Sequence, residues 1–474
     1  MSNTPSRPTT AAAPELAGSE VTFSTAEGMQ RGRVLRVGRH VAVFELFNPF
    51  FLPKISDALD ACKIILQGET VYTGRAVVRN IVSDGLTLTC EIALDESVWQ
   101  PSGAANAANA LAGYADLLRE WQKMQLVGHD YKIAVADQQT YLGDLKLWLE
   151  KIELQIQAAP AAERAGLQNE IEQTLRPQVI AALHNLFETF ETVSDRIAPD
   201  HETAHHAYCR RQLHSFWLSS PFMRRTFLKP LGYAGDYEMM NMIVRNGMEG
   251  DSLFARLINS YLLDQPPCRA VRNRVGFLNN KIVAETARVA REGRRAKIIS
   301  IACGPAWEST NFIAEHPLSE QAEIHFLDFN EETLRQTENK VAELKRKHQR
   351  KTPVKFIKNS VQSLLRAHDR HRALAEYDLI YCSGLYDYLS DAVCKALNSH
   401  FYDQLKPDGL LVVGNFATNT PGQNLMEHLM EWFLIYRSGA QLAALGPEQA
   451  SPDDCAVRAE ATGANIFLEA RKPR

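Results

Sequence analysis

Residues 297–308, Lys-Ile-Ile-Ser-Ile-Ala-Cys-Gly-Pro-Ala-Trp-Glu, carry the fold signal. Ile298, Ile299, Ile301 and Ala302 form a short apolar run that predicts a buried strand. The run breaks at Cys303-Gly304-Pro305, and a helical stretch follows. A second strand, Ala322 to Leu327, ends on Asp328, 20 positions after Glu308. Together these make a βαβ unit. In a doubly wound sheet the first turn offers backbone N–H groups to a ligand. An acid ending the second strand accepts the hydroxyl protons of a ribose.

Working toward the C-terminus, Val354 to Ile357 and Tyr377 to Cys382 predict further strands. Leu405-Lys-Pro-Asp-Gly-Leu turns into a strand ending at Asn415-Phe416, and residues 461–469 close the sheet as a hairpin. Ile282 to Ala290 predicts a helix leading into the first strand. A helix over 331–350 keeps Leu334, Val341 and Leu344 inward and ends on Lys345-Arg-Lys-His, charges suited to a helix C-terminus.

In that order, Ser300–Pro305 (SIACGP), Phe326–Asn330 (FLDFN), Tyr377–Gly384 (YDLIYCSG) and Leu405–Phe416 (LKPDGLLVVGNF) resemble the motifs of class I S-adenosylmethionine (SAM) methyltransferases. The resemblance spans about residues 296–472. It implies a Rossmann-like seven-stranded domain that uses SAM as methyl donor and no metal. It also implies cofactor contacts at Ala302, Cys303, Gly304, Pro305, Glu308, Asp328, Phe329, Asn330, Ser360, Val361, Ser383 and Gly384. The sequence departs from the family in places. The G-x-G-x-G positions are Ala302, Gly304 and Ala306; Ser300 and Ser360 stand where many members have an acid; Ser383–Tyr388 is not N/D-P-P-Y.

Working toward the N-terminus, Pro221–Asn241 (PFMRRTFLKPLGYAGDYEMMN) crowds Tyr233, Asp236 and Tyr237 among Pro230, Gly232 and Gly235. Such density of glycine and polar aromatics predicts a working loop; a tight turn before a helix is the plainer alternative. The block, with residues 252–259 and 265–274, resembles bacterial proteins that make 3-hydroxypalmitic acid methyl ester, a quorum signal. Related blocks occur in enzymes that cyclise SAM to an azetidine ring.

Residues 104–275 predict a helical region. Leu145, Trp148, Leu149, Ile152 and Ile156 form one stripe, and Val179, Leu183, Leu186, Phe187 and Phe190 another, with a break at 158–162. The region could wall an acyl pocket or form a homodimer contact. Within it, His201-Glu202-Thr203-Ala204-His205 matches the zinc-protease H-E-x-x-H motif, but Pro199-Asp200 puts it at a helix start and no third ligand follows, so no metal is expected. Residues 23–100 predict an all-β module resembling a PilZ-type small barrel, with a hairpin signal at Asp84-Gly85. Arg31, Arg33, Arg36 and Arg39 do not form the R-x-x-x-R arm of that family, so cyclic di-GMP binding is not expected and a solvated strand face is. Residues 1–22, rich in Ser, Thr, Pro and Ala, predict a disordered tail.

Composition bounds the function. A net charge of −4 gives no electrostatic case for nucleic acid, and no apolar run suits a membrane span. Eight scattered cysteines read as reduced cytosolic thiols, with Cys303 and Cys382 as small packing groups.

The methyl carbon of SAM is already activated, so a carboxylate acceptor needs positioning and no strong base. Tyr233, Asp236, Tyr386 and His428 are the candidate catalytic residues, with Trp432, Tyr436 and Arg437 as further head-group clamps. Met426, Leu429, Trp432 and Phe433 fit an amphipathic helix and a pocket lining equally well. Three functions stand open: O-methylation of a 3-hydroxy fatty acyl carboxyl, SAM cyclisation, and a non-catalytic PilZ-like adaptor.

Overall fold

The computed structural model describes residues 16, 18–25, 28–38, 40–47, 53–66, 68–83, 88–95, 107–365 and 376–474. The Asp84-Gly85 turn, Arg39 and most of the 1–22 segment lie outside the described residues. The chain divides into two compact units, residues 1–129 with 197–208, and residues 130–196 with 209–474.

The first unit holds β1 (Glu20–Thr25), β2 (Gly28–Val37), β3 (Val41–Leu46), β4 (Ala58–Leu66), β5 (Glu69–Ser83), β6 (Leu88–Leu94) and the helix α1 (Ala107–Met124). The strands close an antiparallel barrel in the order β1-β2-β3-β6-β5-β4. Alternation drives this closure: Val21, Phe23, Val34, Phe44, Ile64, Val78 and Ile92 point inward and are buried. The arginines face out, Arg33 pairing with Glu45 at 2.6 Å and Arg36 with Glu91 at 3.6 Å. Gly32 is required by close approach, since a Cβ there would meet Phe44 at 2.6 Å.

The H-E-x-x-H motif is also in this unit, and its groups are engaged elsewhere. His205 presents Nδ1 to the His201 carbonyl at 2.8 Å and accepts the Gly128 N–H on Nε2 at 3.0 Å. Glu202 pairs with Arg79.

The second unit begins with helices α2 (His129–Ala158) and α3 (Arg164–Ser194), which break where the alanine-proline run predicts. Val179, Leu183, Phe187 and Phe190 are buried on α3, and Leu145, Leu149 and Ile156 on α2. Trp148 departs from the expected stripe; it is 45% exposed. Then come α4 (Glu202–Trp217), whose residues up to Tyr208 belong to the first unit, α5 (Pro221–Leu228), α6 (Tyr237–Arg245), α7 (Leu253–Leu263) and α8 (Pro266–Arg291). The α/β part follows: β7 (Ala296–Ile301), α9 (Trp307–Glu315), β8 (Ala322–Asp328), α10 (Glu331–Lys347), β9 (Val354–Lys358), α11 (Val361–Leu365), β10 (Tyr377–Cys382), α12 (Asp391–Asp403), β11 (Leu405–Phe416), α13 (Gln423–Met430), α14 (Gly439–Ala443), β12 (Cys455–Ala459) and β13 (Asn465–Arg471).

The seven strands run β12-β13-β11-β10-β7-β8-β9. β7 to β11 are parallel to one another, and β13 is antiparallel to both β11 and β12. Strand alternation feeds two cores. Ile299, Ile301, Ile380 and Leu411 pack on α12, while Ile298, Ile324, Leu379 and Val412 pack against α8 and α9. The strand order reverses between β7 and β10. Crevices open at the carboxyl ends of parallel strands at such a reversal. No described helix is long and apolar enough to cross a membrane.

Candidate active site

The loop leaving β7 places three residues in left-handed conformation within five positions: Ala302 (φ 50°), Gly304 (φ 52°) and Ala306 (φ 47°). These are the positions where the G-x-G-x-G pattern has glycine. Two alanines therefore adopt a backbone that costs an L-residue roughly 1–2 kcal/mol. The loop is pinned at both ends. Cys303 N–H donates to Leu327 O at 3.0 Å, and Thr337 Oγ1 donates to Gly304 O at 2.8 Å. Asp328 lies beneath, accepting from Gly304 N at 3.1 Å and Asn330 N at 3.0 Å. A Cβ on Gly304 would meet no atom within 4 Å, so the loop faces open space there.

That space is a cleft of ≈ 680 Å³. Its floor is residues 302–308 and its far wall Ser383, Gly384, Asp387 and Tyr388, from the turn after β10. Arg274, Val271 and Val275 of α8, Met240 and Val244 of α6, Phe416 and Trp432 complete it. Glu308, in the first turn of α9, accepts from Tyr381 Oη at 2.9 Å; burial raises its carboxyl above the ordinary value. Asp387 accepts the Phe416 N–H at 2.6 Å, and burial, opposed by that bond and by Arg274 and Arg437, leaves it pushed up to about 6. Burial likewise raises the Cys303 and Cys382 thiols, which makes both neutral packing groups.

The Lys229–Met240 block acts as both turn and wall. Asp236 caps α6 by accepting from Met239 N at 2.8 Å and pairs with Arg225 at 2.9 Å. Gly235 (φ 74°) brings the backbone beside Tyr388, whose hydroxyl would be 3.0 Å from a Cβ there. Tyr233 reaches toward Asp328: its ring lies 5.1 Å from Phe329 and its hydroxyl 3.4 Å from Thr333 Oγ1. Burial first, then the Asp328 charge, raises its pKa. Asn330 caps α10 through Thr333 N at 2.9 Å. Ser360 caps α11 through Ser363 N at 3.1 Å, with Val361 half-buried beside it.

Four expected clamp residues are outside the cleft lining. Tyr386 is wholly buried and donates to Asn398 Oδ1 at 2.6 Å. His428 meets Tyr131 Oη at 2.7 Å, and its ring packs against Phe190. Arg437 is 2% exposed and donates to Asp391, Asn415 and the Tyr386 and Leu389 carbonyls. Tyr436 is half-buried, and its hydroxyl has no hydrogen-bond partner among the described residues. Trp432 does reach the cleft, donating from Nε1 to Tyr388 Oη at 2.8 Å.

Residues 231–439 match the model of a family described as "Putative methyltransferase". No curated protein matches the chain. Among solved structures, a possible exported protein from Bordetella parapertussis is 17% identical, with a TM-score of 0.41; the match covers 67% of this chain and 99% of that one. Magnesium protoporphyrin IX methyltransferase from Synechocystis PCC 6803, with bound SAH, is 14% identical, covering 53% and 98%, TM-score 0.33. N-methyltransferase NodS from Bradyrhizobium japonicum WM9, also with SAH, is 12% identical, covering 44% and 90%, TM-score 0.29.

The cleft residues that sequence reasoning passed over are Arg274, Asp387, Tyr388 and Phe416. Asp387 and Tyr388 carried a signal, since they stand in the loop after β10. Arg274 stood in the 265–274 stretch of the resemblance, but nothing set it apart there from Arg269 and Arg272, and only the three-dimensional packing of α8 turns it to the cleft.

Proposed function

We propose that this chain is a SAM-dependent methyltransferase that O-methylates the carboxyl of a 3-hydroxy fatty acid or its acyl derivative, forming a signal ester. The observation that carries the SAM part is the cradle: three left-handed residues whose open side faces the cleft, with the Asp328 carboxylate fixed beneath. The residues present fit such a ligand. Gly304 leaves room for close approach, Asp328 places a carboxylate at the end of β8, the position suited to ribose hydroxyls, and Tyr233 and Phe329 flank that acid. SAM supplies an activated methyl group. The protein's part is to hold an acceptor oxygen in line with it and exclude water. Val244, Val271, Val275, Met240, Phe416 and Trp432 give apolar walls suited to an alkyl chain, and Tyr388 offers a polar contact among them. An ionised acceptor carboxylate needs no general base.

Mass spectrometry of reactions containing full-length protein and SAM, with and without 3-hydroxy fatty acids or their thioesters, tests this. S-adenosylhomocysteine (SAH) together with an ester heavier than its acid by one CH2, formed only with the acyl substrate, is expected. Methylthioadenosine and azetidine carboxylate from SAM alone would replace this reading with cyclisation. Absence of SAM binding would remove it.

A further inference from the structure

Arg274 is a buried cation that closes no ion pair among the described residues. Its residue is 9% exposed, and it lines the cleft. It makes three contacts: two long ones to oxygen, Nη1 to Ser383 O at 3.3 Å and Nη1 to Asn465 Oδ1 at 3.4 Å, and a weak one from Nη2 to Met240 Sδ at 3.5 Å. None is an ion pair. Arg437, also deeply buried, shows how this protein settles a guanidinium that has only a structural duty. Its donors reach Asp391, Asn415 and two carbonyls at 2.5–2.9 Å.

Asn465 offers Oδ1 to Arg274, and its own Nδ2 is buried without a partner among the described residues. Two carboxyls line the same cleft, yet neither closes on the arginine. Glu308 accepts from Tyr381, and Asp387 accepts from the Phe416 N–H. Burial biases both toward the neutral acid despite the arginine's attraction. Gly384 completes the geometry. A Cβ there would lie 3.2 Å from Nη2, so the glycine gives the fork its seat at the end of β10. A guanidinium held out of water with no bidentate partner is costly, and its planar donor fork matches a carboxylate.

We propose that Arg274 is the carboxylate anchor of the cleft, its fork receiving the carboxylate of a small molecule that lies across the ends of β7 and β10. The assignment rests on the methyltransferase reading, because two carboxylates are then available: the amino-acid end of the cofactor and the head group of the acceptor. In the second case the anchor also favours release, since the methyl ester has lost the charge that the fork holds.

Calorimetry and steady-state kinetics on the full chain separate the sources. Arg274→Gln removes the fork, and Arg274→Lys keeps the charge without it. If the anchor holds the cofactor, Arg274→Gln weakens SAH binding on the order of 10- to 100-fold and leaves methylthioadenosine, which lacks the amino-acid end, unchanged. If it holds the acceptor, SAH affinity is unchanged, while the KM for the 3-hydroxy fatty acid rises by a similar factor. Inhibition by the matching fatty alcohol then stays the same. Lysine restores part of either loss. The proposal is overturned if Arg274→Gln, folded by its melting curve, keeps both SAH and acid affinity within about 2-fold. It is equally overturned if the native protein binds SAH no better than methylthioadenosine and the acid no better than the alcohol. If the native protein binds neither nucleoside, the methyltransferase reading fails, and the acid-against-alcohol comparison alone judges the anchor. Should Arg274→Gln not fold, Gly384→Ala displaces the fork instead and is read the same way.

Discussion

Gly304→Ala separates what the cradle costs the fold from what it does for a ligand. Ala302 and Ala306 show that this loop carries alanine at φ near 50°. A third alanine at φ 52° adds roughly 1–2 kcal/mol of backbone strain. About 0.4–1 kcal/mol of that is returned by the stiffer unfolded chain. The net loss is about 1 kcal/mol, a shift of only a few degrees in melting temperature for a unit this large. The new methyl meets no protein atom within 4 Å, so nothing in the fold resists it. It occupies the space a cofactor must enter, and overpacking of that kind costs about 1–3 kcal/mol. SAH affinity therefore falls on the order of 10- to 100-fold while the melt barely moves. Ala302→Gly is the control in the other direction: it relieves strain, raises stability by about 0.5–1 kcal/mol and leaves affinity intact. Calorimetry with SAH and a thermal melt on the three proteins check the set. Undiminished SAH affinity in Gly304→Ala would refute the reasoning, because the open face of the loop would then not be the ligand face. A melt lowered by more than about 10 °C would refute the strain estimate.

Three further outcomes follow from named contacts. Asp387 stays protonated in the fold up to about pH 6, above the 3.8 of an ordinary aspartate, so it withdraws stability as pH rises between those values. Relative to Asp387→Asn, the native protein should lose about 3 kcal/mol between about pH 4 and pH 7, read from denaturant unfolding at each pH; a constant difference would contradict the burial argument. Arg437→Met strands Asn415 Oδ1 and the Tyr386 and Leu389 carbonyls without their donor, and should cost about 3–5 kcal/mol in the same assay; a loss below about 1 kcal/mol would show that water replaces the clip. Glu191 of α3 accepts from Leu425 N at 2.9 Å and Asn424 N at 3.3 Å, so Glu191→Ala uncaps α13. That variant should lose about 1–2 kcal/mol, whereas Glu191→Gln, which keeps an acceptor, should lose much less; equal losses would assign the effect to charge.

The sheet was legible because its signals are local. β7, β8, β10 and residues 409–416 of β11 are largely apolar runs buried on both faces, and Asp328 ends β8 where the ribose argument needs an acid. The helix breaks were legible for the same reason: Ala158 ends α2 before a proline, and Asp236 caps α6 from within the glycine-rich block. Clamp residues were not, because an amphipathic pattern says that a side chain is buried and not in what. His428 and Tyr386 are as buried as the pattern demands, yet one faces Tyr131 and the other Asn398.

Trp432 shows where the missing information lies. Its spacing from Met426 and Leu429 continues a helical stripe, and on a continued helix it would pack with them. The helix stops at Met430 because Glu431 turns left-handed (φ 49°). That strained residue is held by partners distant in sequence: Arg210 pairs with its carboxylate at 3.0 Å. The last helical carbonyls are held likewise, Lys229 Nζ donating to Met430 O at 3.2 Å and His214 Nε2 meeting Leu429 O at 2.9 Å. Lys229 opens the same block that supplies Gly235 to the cleft. The block therefore shapes the cleft twice, once as wall and once by ending α13 so that Trp432 can donate to Tyr388. Tertiary contacts of this kind override a local stripe, and they place a site residue that no window of sequence around it would reveal.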